Sequence, residues 1–141
     1  MAVDGEKLAE LLGHNPNLGG LAERMGMELL EASTERVVGR IPVEGNTQPY
    51  GLLHGGASCV LAESLGSIGS ALLAAPDRIA VGIEINATHH RSVTSGWVTG
   101  VAVPVHTGRT LATWDIEITD DQGRRVCTSR LTCMLRDAPG R

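Results

Sequence analysis

Apolar and polar residues alternate with a period of two along most of the second half of the chain, the mark of strands that bury one face. Four such segments, 79–87, 97–105, 111–119 and 126–135, are separated by turn signals at Thr94-Ser95-Gly96, Thr107-Gly108 and Asp120-Asp121-Gln122-Gly123. Alternation predicts that Val81, Ile83 and Ile85 share a face, as do Trp114, Ile116 and Ile118, and likewise Leu131, Cys133 and Leu135. Earlier, 25–32 and 35–43 read as a hairpin about Ser33-Thr34. Before them a short helix is expected from Asp4, as its N-cap, to Leu12, stopped by Gly13 and Pro16, with a second helical turn over 18–24. A polar loop, 44–54, then leads into one long helical stretch, GGASCVLAESLGSIGSALLAA over 55–75, ended by Pro76.

Each strand has one apolar face that needs a cover, and the long helix is the only candidate. The prediction is α+β: an antiparallel sheet curled around one helix. At 141 residues a single domain, 1–141, is expected, with 1–24 as an N-terminal helical segment and 55–75 as the central helix. Phe is absent, with two Trp and one Tyr, so Val, Ile, Leu, Ala and Met must fill the core.

Charge narrows the partners. A net charge of −4 argues against a general nucleic-acid binder, which carries a basic excess. Every basic residue but Lys7 is Arg, the better fork for phosphate and carboxylate. Cys59, Cys127 and Cys133 form no C-x-x-C pair and cannot complete a disulfide framework. The acidic N-terminus lacks a signal-peptide core, and no apolar stretch is expected to reach membrane-spanning length. The expected location is cytoplasmic, with no membrane and no nucleic acid among the partners.

Leu61, Leu65, Ile68 and Leu72 make the helix stripe that packs on the sheet. Another face carries Gly56, Cys59, Val60, Glu63, Gly66, Ser67 and Ser70, mostly small, so a ligand or another backbone can come close. Glu63 is the only charged residue from Gly55 to Ala75. A carboxylate there is paired from elsewhere, shifted in pKa or in use; a structural Glu bonded to a distant Arg is the competing reading. Leu53-His54-Gly55-Gly56 places flexible backbone where helix N–H groups lack partners, a setting that can hold an oxyanion, although glycines also serve ordinary turns. Gly55 and Glu63 lie roughly 12 Å apart along a helix, too far to act on one carbon in one chain. Either they are unrelated, or Gly55 of one subunit faces Glu63 of another across a two-fold axis, the reading favoured here.

The stretch QPYGLLHGGASCVLAESLGS closely resembles the core motif of PaaI-like hotdog thioesterases, nearest the branch of 1,4-dihydroxy-2-naphthoyl-CoA hydrolases and the enterobactin-pathway proofreading thioesterase. Similarity runs from about Gly26 to Leu135 and includes VGIEINATHHRS and VPVHTGR. The resemblance implies a hotdog fold, a homodimer with shared active sites paired into a homotetramer, and hydrolysis of acyl-CoA or acyl-carrier-protein thioesters. It implies Glu63 as the catalytic carboxylate, nucleophile or general base on water, with Ser67 orienting that water. Gly55 becomes the backbone donor to the thioester carbonyl, and Gln48 and His54 the polar residues around that carbonyl and the leaving thiolate. No cofactor is implied, since coenzyme A is part of the substrate. An aromatic acyl group is expected, with menaquinone biosynthesis one pathway that uses such relatives.

Two basic clusters suit a CoA ligand: His89-His90-Arg91-Ser92 at the end of one strand, and His106-Thr107-Gly108-Arg109 after the next. They are expected side by side, gripping the nucleotide phosphates, with Arg91 and Arg109 the strongest candidates; ordinary polar strand ends are the plain alternative. Gly82 joins them in the expected substrate-binding set. Adjacent His89 and His90 point to opposite strand faces, against a shared metal, and no other spacing suggests one. Trp97 and Trp114 are expected in core or subunit contacts, and Cys59 lacks the histidine base that a thiol nucleophile needs. A dehydratase would pair His54 with Glu63, but the loop wording is thioesterase-like. A non-catalytic acyl-CoA sensor would need a DNA-binding segment that the short N-terminus does not supply.

Overall fold

The computed structural model describes Leu8 and residues 18–140. Helix α1, Gly20–Met25, occupies the expected 18–24 turn, and the expected helix 4–12 lies outside the described residues apart from Leu8, which is helical and buried. Strands β1, Glu28–Ala32, and β2, Val37–Pro42, form the hairpin. Its turn is closed by Ser33, whose hydroxyl accepts from Arg36 N at 3.0 Å. Helix α2, Gly55–Ala74, is followed by β3, Arg78–His89, β4, Trp97–Thr107, β5, Leu111–Thr119, and β6, Arg125–Asp137.

All six strands form one antiparallel sheet in the order β1-β2-β4-β5-β6-β3. Helix α2 covers one face, touching β2 through β6. That is the predicted α+β architecture, an antiparallel sheet around one central helix. Even-numbered β5 residues Trp114, Ile116 and Ile118 and odd-numbered β6 residues Leu131, Cys133 and Leu135 point to the helix and are buried, as alternation predicts. Trp114 is a core residue, whereas Trp97 lies half-buried with the Arg40 guanidinium 4.0 Å over its ring.

Two expectations fail on β3 and α2. Val81, Ile83 and Ile85 do not share a face, because the β3–β6 register shifts between Gly82 and Glu84. The bulge flips the parity: Ala80 before it and Ile85 and Ala87 after it pack on the core, while Val81 and Ile83 are exposed. On α2, Leu61 and Leu65 are buried as expected, but so are Gly66 and Ser70 from the supposed open face, with Gly69 beside them. A Cβ at Gly66 would lie 2.6 Å from Leu131 Cδ2, and one at Gly69 2.4 Å from the Trp114 ring. Those small residues let the helix sit close on the sheet. By length and mean hydropathy of 1.4, α2 also passes for a membrane span, contrary to the sequence reading, yet half of that window is buried, the position of a core helix.

Candidate active site

The start of α2 is built by the loop before it. Leu53 N bonds Val93 O at 2.8 Å and His54 N bonds Asn46 O at 2.9 Å, which fixes where the helix begins. His54 is the N-cap, its Nδ1 accepting from Gly56 N at 2.8 Å. That bond assigns the neutral ring its proton on Nε2, a donor facing outward. Ala57 N bonds His54 O at 2.9 Å, and among the described residues no partner is seen for the Gly55 amide, the first of the helix. The place of a Cβ at Gly55 is taken by the His89 ring, whose Nε2 would lie 2.9 Å from it. Gln48 accepts from Tyr50 N through its side-chain oxygen, which leaves the side-chain NH2 free to donate.

Beside the helix start lies a cleft of about 350 Å³. It brings together Gln48, Gly55, His89, Arg91 and Ser92, with His90 at its edge and Ser58 buried in its floor. Sequence reasoning passed over Ser58; its place three residues after Gly55, on the same side of the helix, was the available signal. His89 and His90 diverge as expected, His89 onto Gly55 and His90 Nε2 to Thr128 Oγ1 at 2.9 Å.

Glu63 and Ser67 stand away from this cleft, two and three turns along α2. The Glu63 carboxylate is exposed and comes down on β3 at the bulge, its Oε1 3.1 Å from where a Cβ on Gly82 would sit. Ser67 is half-buried. Burial pushes the Cys133 thiol up, bonds from Ser70 and Ser67 offset part of this, and the Glu63 charge adds to the rise. Burial, then Cys59, raises Cys127 to about 11. Both thiols are therefore inert at neutral pH.

The second basic cluster is not beside the first within one chain. Arg78, the first residue of β3, donates to Arg109 O, whereas Arg91 follows the last residue of β3. A strand of 12 residues separates them by roughly 36 Å at about 3.3 Å per residue. The reason is antiparallel order: two strands, β5 and β6, lie between β4 and β3, so those two run in opposite senses and their C-terminal ends point opposite ways. His106, Thr107 and Arg109 are exposed around Gly108 at that far end. A larger concavity, about 630 Å³, lies on the outer sheet face. The ion pairs Arg130–Asp115 and Arg125–Glu117 border it, and none of the expected catalytic residues lines it. Among the described residues no group of His, Cys, Asp and Glu is placed to hold a metal ion.

A helix amide without a partner and a carboxylate on the same helix are groups that acyl-transfer chemistry uses. Comparison with known proteins defines the family. Residues 50–127 match the thioesterase superfamily. The proofreading thioesterase EntH of Cronobacter sakazakii is 50% identical over 135 residues, 95% of this chain and 91% of the relative. A mutant of the thioesterase PA1618 of Pseudomonas aeruginosa superposes with a TM-score of 0.83 at 37% identity, covering 98% of this chain and 97% of that one. The Staphylococcus aureus protein SAV0944, solved as a Glu-to-Ala mutant, gives 0.81 at 36% identity over 84% of this chain and 100% of that one. The chain belongs to the thioesterase superfamily, and its fold is the hotdog fold. It is a thioester hydrolase.

Proposed function

We propose that this thioesterase removes acyl groups, aromatic ones preferentially, from a carrier protein, at sites shared between two copies of the chain. The observation that carries the choice of carrier is the match along 95% of the chain to a proofreading thioesterase. Glu63 is the reading for the attacking group, either activating water or attacking the carbonyl carbon itself. The Gly55 amide and the Gln48 NH2 receive the developing oxyanion, and the His54 Nε2–H lies ready for the leaving thiolate. The same Staphylococcus aureus protein was also solved as a Gln-to-Ala mutant, fifteen residues before the substituted Glu. Gln48 and Glu63 are likewise fifteen residues apart, which supports both assignments.

Two copies are needed because one α2 cannot bring its own Gly55 and Glu63 to one carbon. Strand β3 is a sheet edge and exposes Val81 and Ile83, 38% and 51%, an edge that invites pairing. Antiparallel pairing of two β3 edges about a two-fold axis turns the start of one β3 toward the end of the other. Glu63 and Ser67 of one chain then approach Gln48, His54 and Gly55 of the next, and Arg109 approaches Arg91. A dimer of such dimers is the expected assembly.

Coenzyme A is the second reading, favoured by Arg91 and Arg109, since a nucleotide offers phosphates to both. Steady-state kinetics with one aromatic acyl group on carrier protein, on coenzyme A and on pantetheine, beside a fatty acyl-CoA, separates the readings. The carrier-protein substrate should show the highest kcat/KM, at least about tenfold above pantetheine, one decade being about 1.4 kcal/mol of transition-state binding. A higher value for the CoA thioester makes the enzyme an acyl-CoA hydrolase instead.

A further inference from the structure

Among the described residues three serines are almost wholly buried, and two of them have a hydrogen-bond partner. Ser70 accepts from the Trp114 indole N–H at 2.9 Å, and Ser129 donates to Asn86 O at 2.7 Å. Ser58, 1% exposed, lines the cleft beside the start of α2, and among the described residues no partner is seen for its hydroxyl. Ser64, further along the helix, shows where such a hydroxyl ordinarily rests: it donates to the carbonyl four residues back, Val60 O, at 2.7 Å. Ser58 makes no such bond. No fully enclosed side-chain polar atom among the described residues lacks a partner. The trace of Ser58 that remains exposed therefore includes its hydroxyl, which opens into the cleft.

Stability gives no reason for a serine at this position. Ala57 and Ala62 are buried on the same helix, and alanine is the better helix former. A buried hydroxyl without a partner costs free energy that a methyl group does not. The group is accounted for if something that enters the cleft bonds to it. Ser58 stands three residues after Gly55, and helix side chains lean toward the N-terminus, so the hydroxyl faces the turn that Gly55 opens.

We propose that Ser58 sets specificity for the thiol side of the substrate: its O–H donates to the amide carbonyl nearest the thioester. This rests on Gly55 and Gln48 holding the thioester carbonyl. A thiol on a phosphopantetheine arm, in coenzyme A or on a carrier protein, carries an amide two methylenes from the sulfur. Five bonds separate the thioester carbon from that amide carbon, roughly 6 Å when extended at peptide-like bond lengths. Side chains three residues apart on a helix lie about 5–6 Å apart. A thioester carbonyl at Gly55 thus brings the next carbonyl within reach of Ser58. Leu52, Leu53 and Val126 line the same cleft and offer apolar walls to the methylenes.

In the free protein water answers the hydroxyl, and an entering arm expels it. An arm with no polar atom there leaves the hydroxyl unpaired, which is how a site built around a hydrogen bond rejects an analogue lacking it. The test compares one aromatic acyl group on N-acetylcysteamine, which keeps the amide, with the same group on pentanethiol, which matches its length without one. Wild type should favour the amide-bearing thioester about tenfold or more in kcat/KM. Ser58→Ala should lower that value about 5–20-fold, mostly through KM, and leave the pentyl thioester within about twofold, with Tm kept. Gln48→Ala should lower kcat on both thioesters alike. An equal loss on both in Ser58→Ala, or no loss on either, overturns the proposal. Unchanged turnover in Gln48→Ala would instead overturn the placement of the thioester carbonyl, the separate reading from which the reach to Ser58 is measured.

Discussion

Gly55, at the start of α2, and Gly100, beneath its middle, each leave a space that a methyl group would overfill, but the surroundings differ. A Cβ at Gly55 meets His89 Nε2 at 2.9 Å, on an exposed ring at the mouth of the cleft. A Cβ at Gly100 meets Leu65 Cδ1 at 2.7 Å, and Leu65 is held from its other side by Gly39, whose Cβ would lie 2.7 Å from Leu65 Cδ2. The first neighbour can swing aside, while the second is wedged. One glycine therefore leaves room beside an unpartnered helix amide and the other sets a packing distance. The same residue type means site or core according to what surrounds the missing side chain.

The largest effect should come from the reactive end. Glu63→Gln keeps the shape of the side chain and removes the proposed attacking group, so kcat should fall at least about 10²-fold with the fold intact. A stability change with near-normal turnover would make Glu63 structural and would leave α2 without a chemical half.

Next comes the sharing of sites. Glu63→Gln and a Gln48→Ala, His54→Ala double variant, each nearly inactive, are unfolded and refolded together. In a two-fold dimer each mixed pair has one intact site, so roughly a quarter of all sites should recover. If subunits demonstrably exchange and nothing is regained, the two ends of α2 do not meet across chains.

The glycine contrast has its own test. Gly55→Ala should lower kcat/KM about tenfold, equivalent to about 1.4 kcal/mol, with Tm nearly unchanged. Gly100→Ala should leave kcat per folded molecule alone and cost about 1–3 kcal/mol of stability by overpacking, a Tm drop of about 3–10 °C. Equal stability losses at both positions would erase the distinction.

The smallest effect belongs to Arg91, at the cleft, and Arg109, proposed to reach it from a second copy. Arg91→Ala or Arg109→Ala should raise KM a few-fold, about 1 kcal/mol, with little change in kcat, because remote phosphate contacts act as uniform binding. The increase should vanish for a pantetheine thioester lacking the nucleotide; an equal increase there would make these arginines structural.

Local chemistry is written locally. Residue pattern alone placed β4, β5 and β6, the limits of α2 to within a residue, the inward faces of Trp114 and Leu131, and the opposite directions of His89 and His90. A one-residue bulge at Gly82–Glu84 leaves no mark in alternation, so the faces of Val81 and Ile85 were decided only when β3 met β6. The burial of Gly66 and Ser70 likewise depends on a neighbour, Leu131 and Trp114 respectively, more than forty residues away in sequence. Strand order, which is a property of the whole sheet, sent the two basic clusters to opposite ends. Helix rise by itself required a second chain for Gly55 and Glu63 to act together. The buried bond from Trp114 to Ser70 needed tertiary structure, because hydrogen bonds between distant elements follow from packing, and packing has no period along the chain.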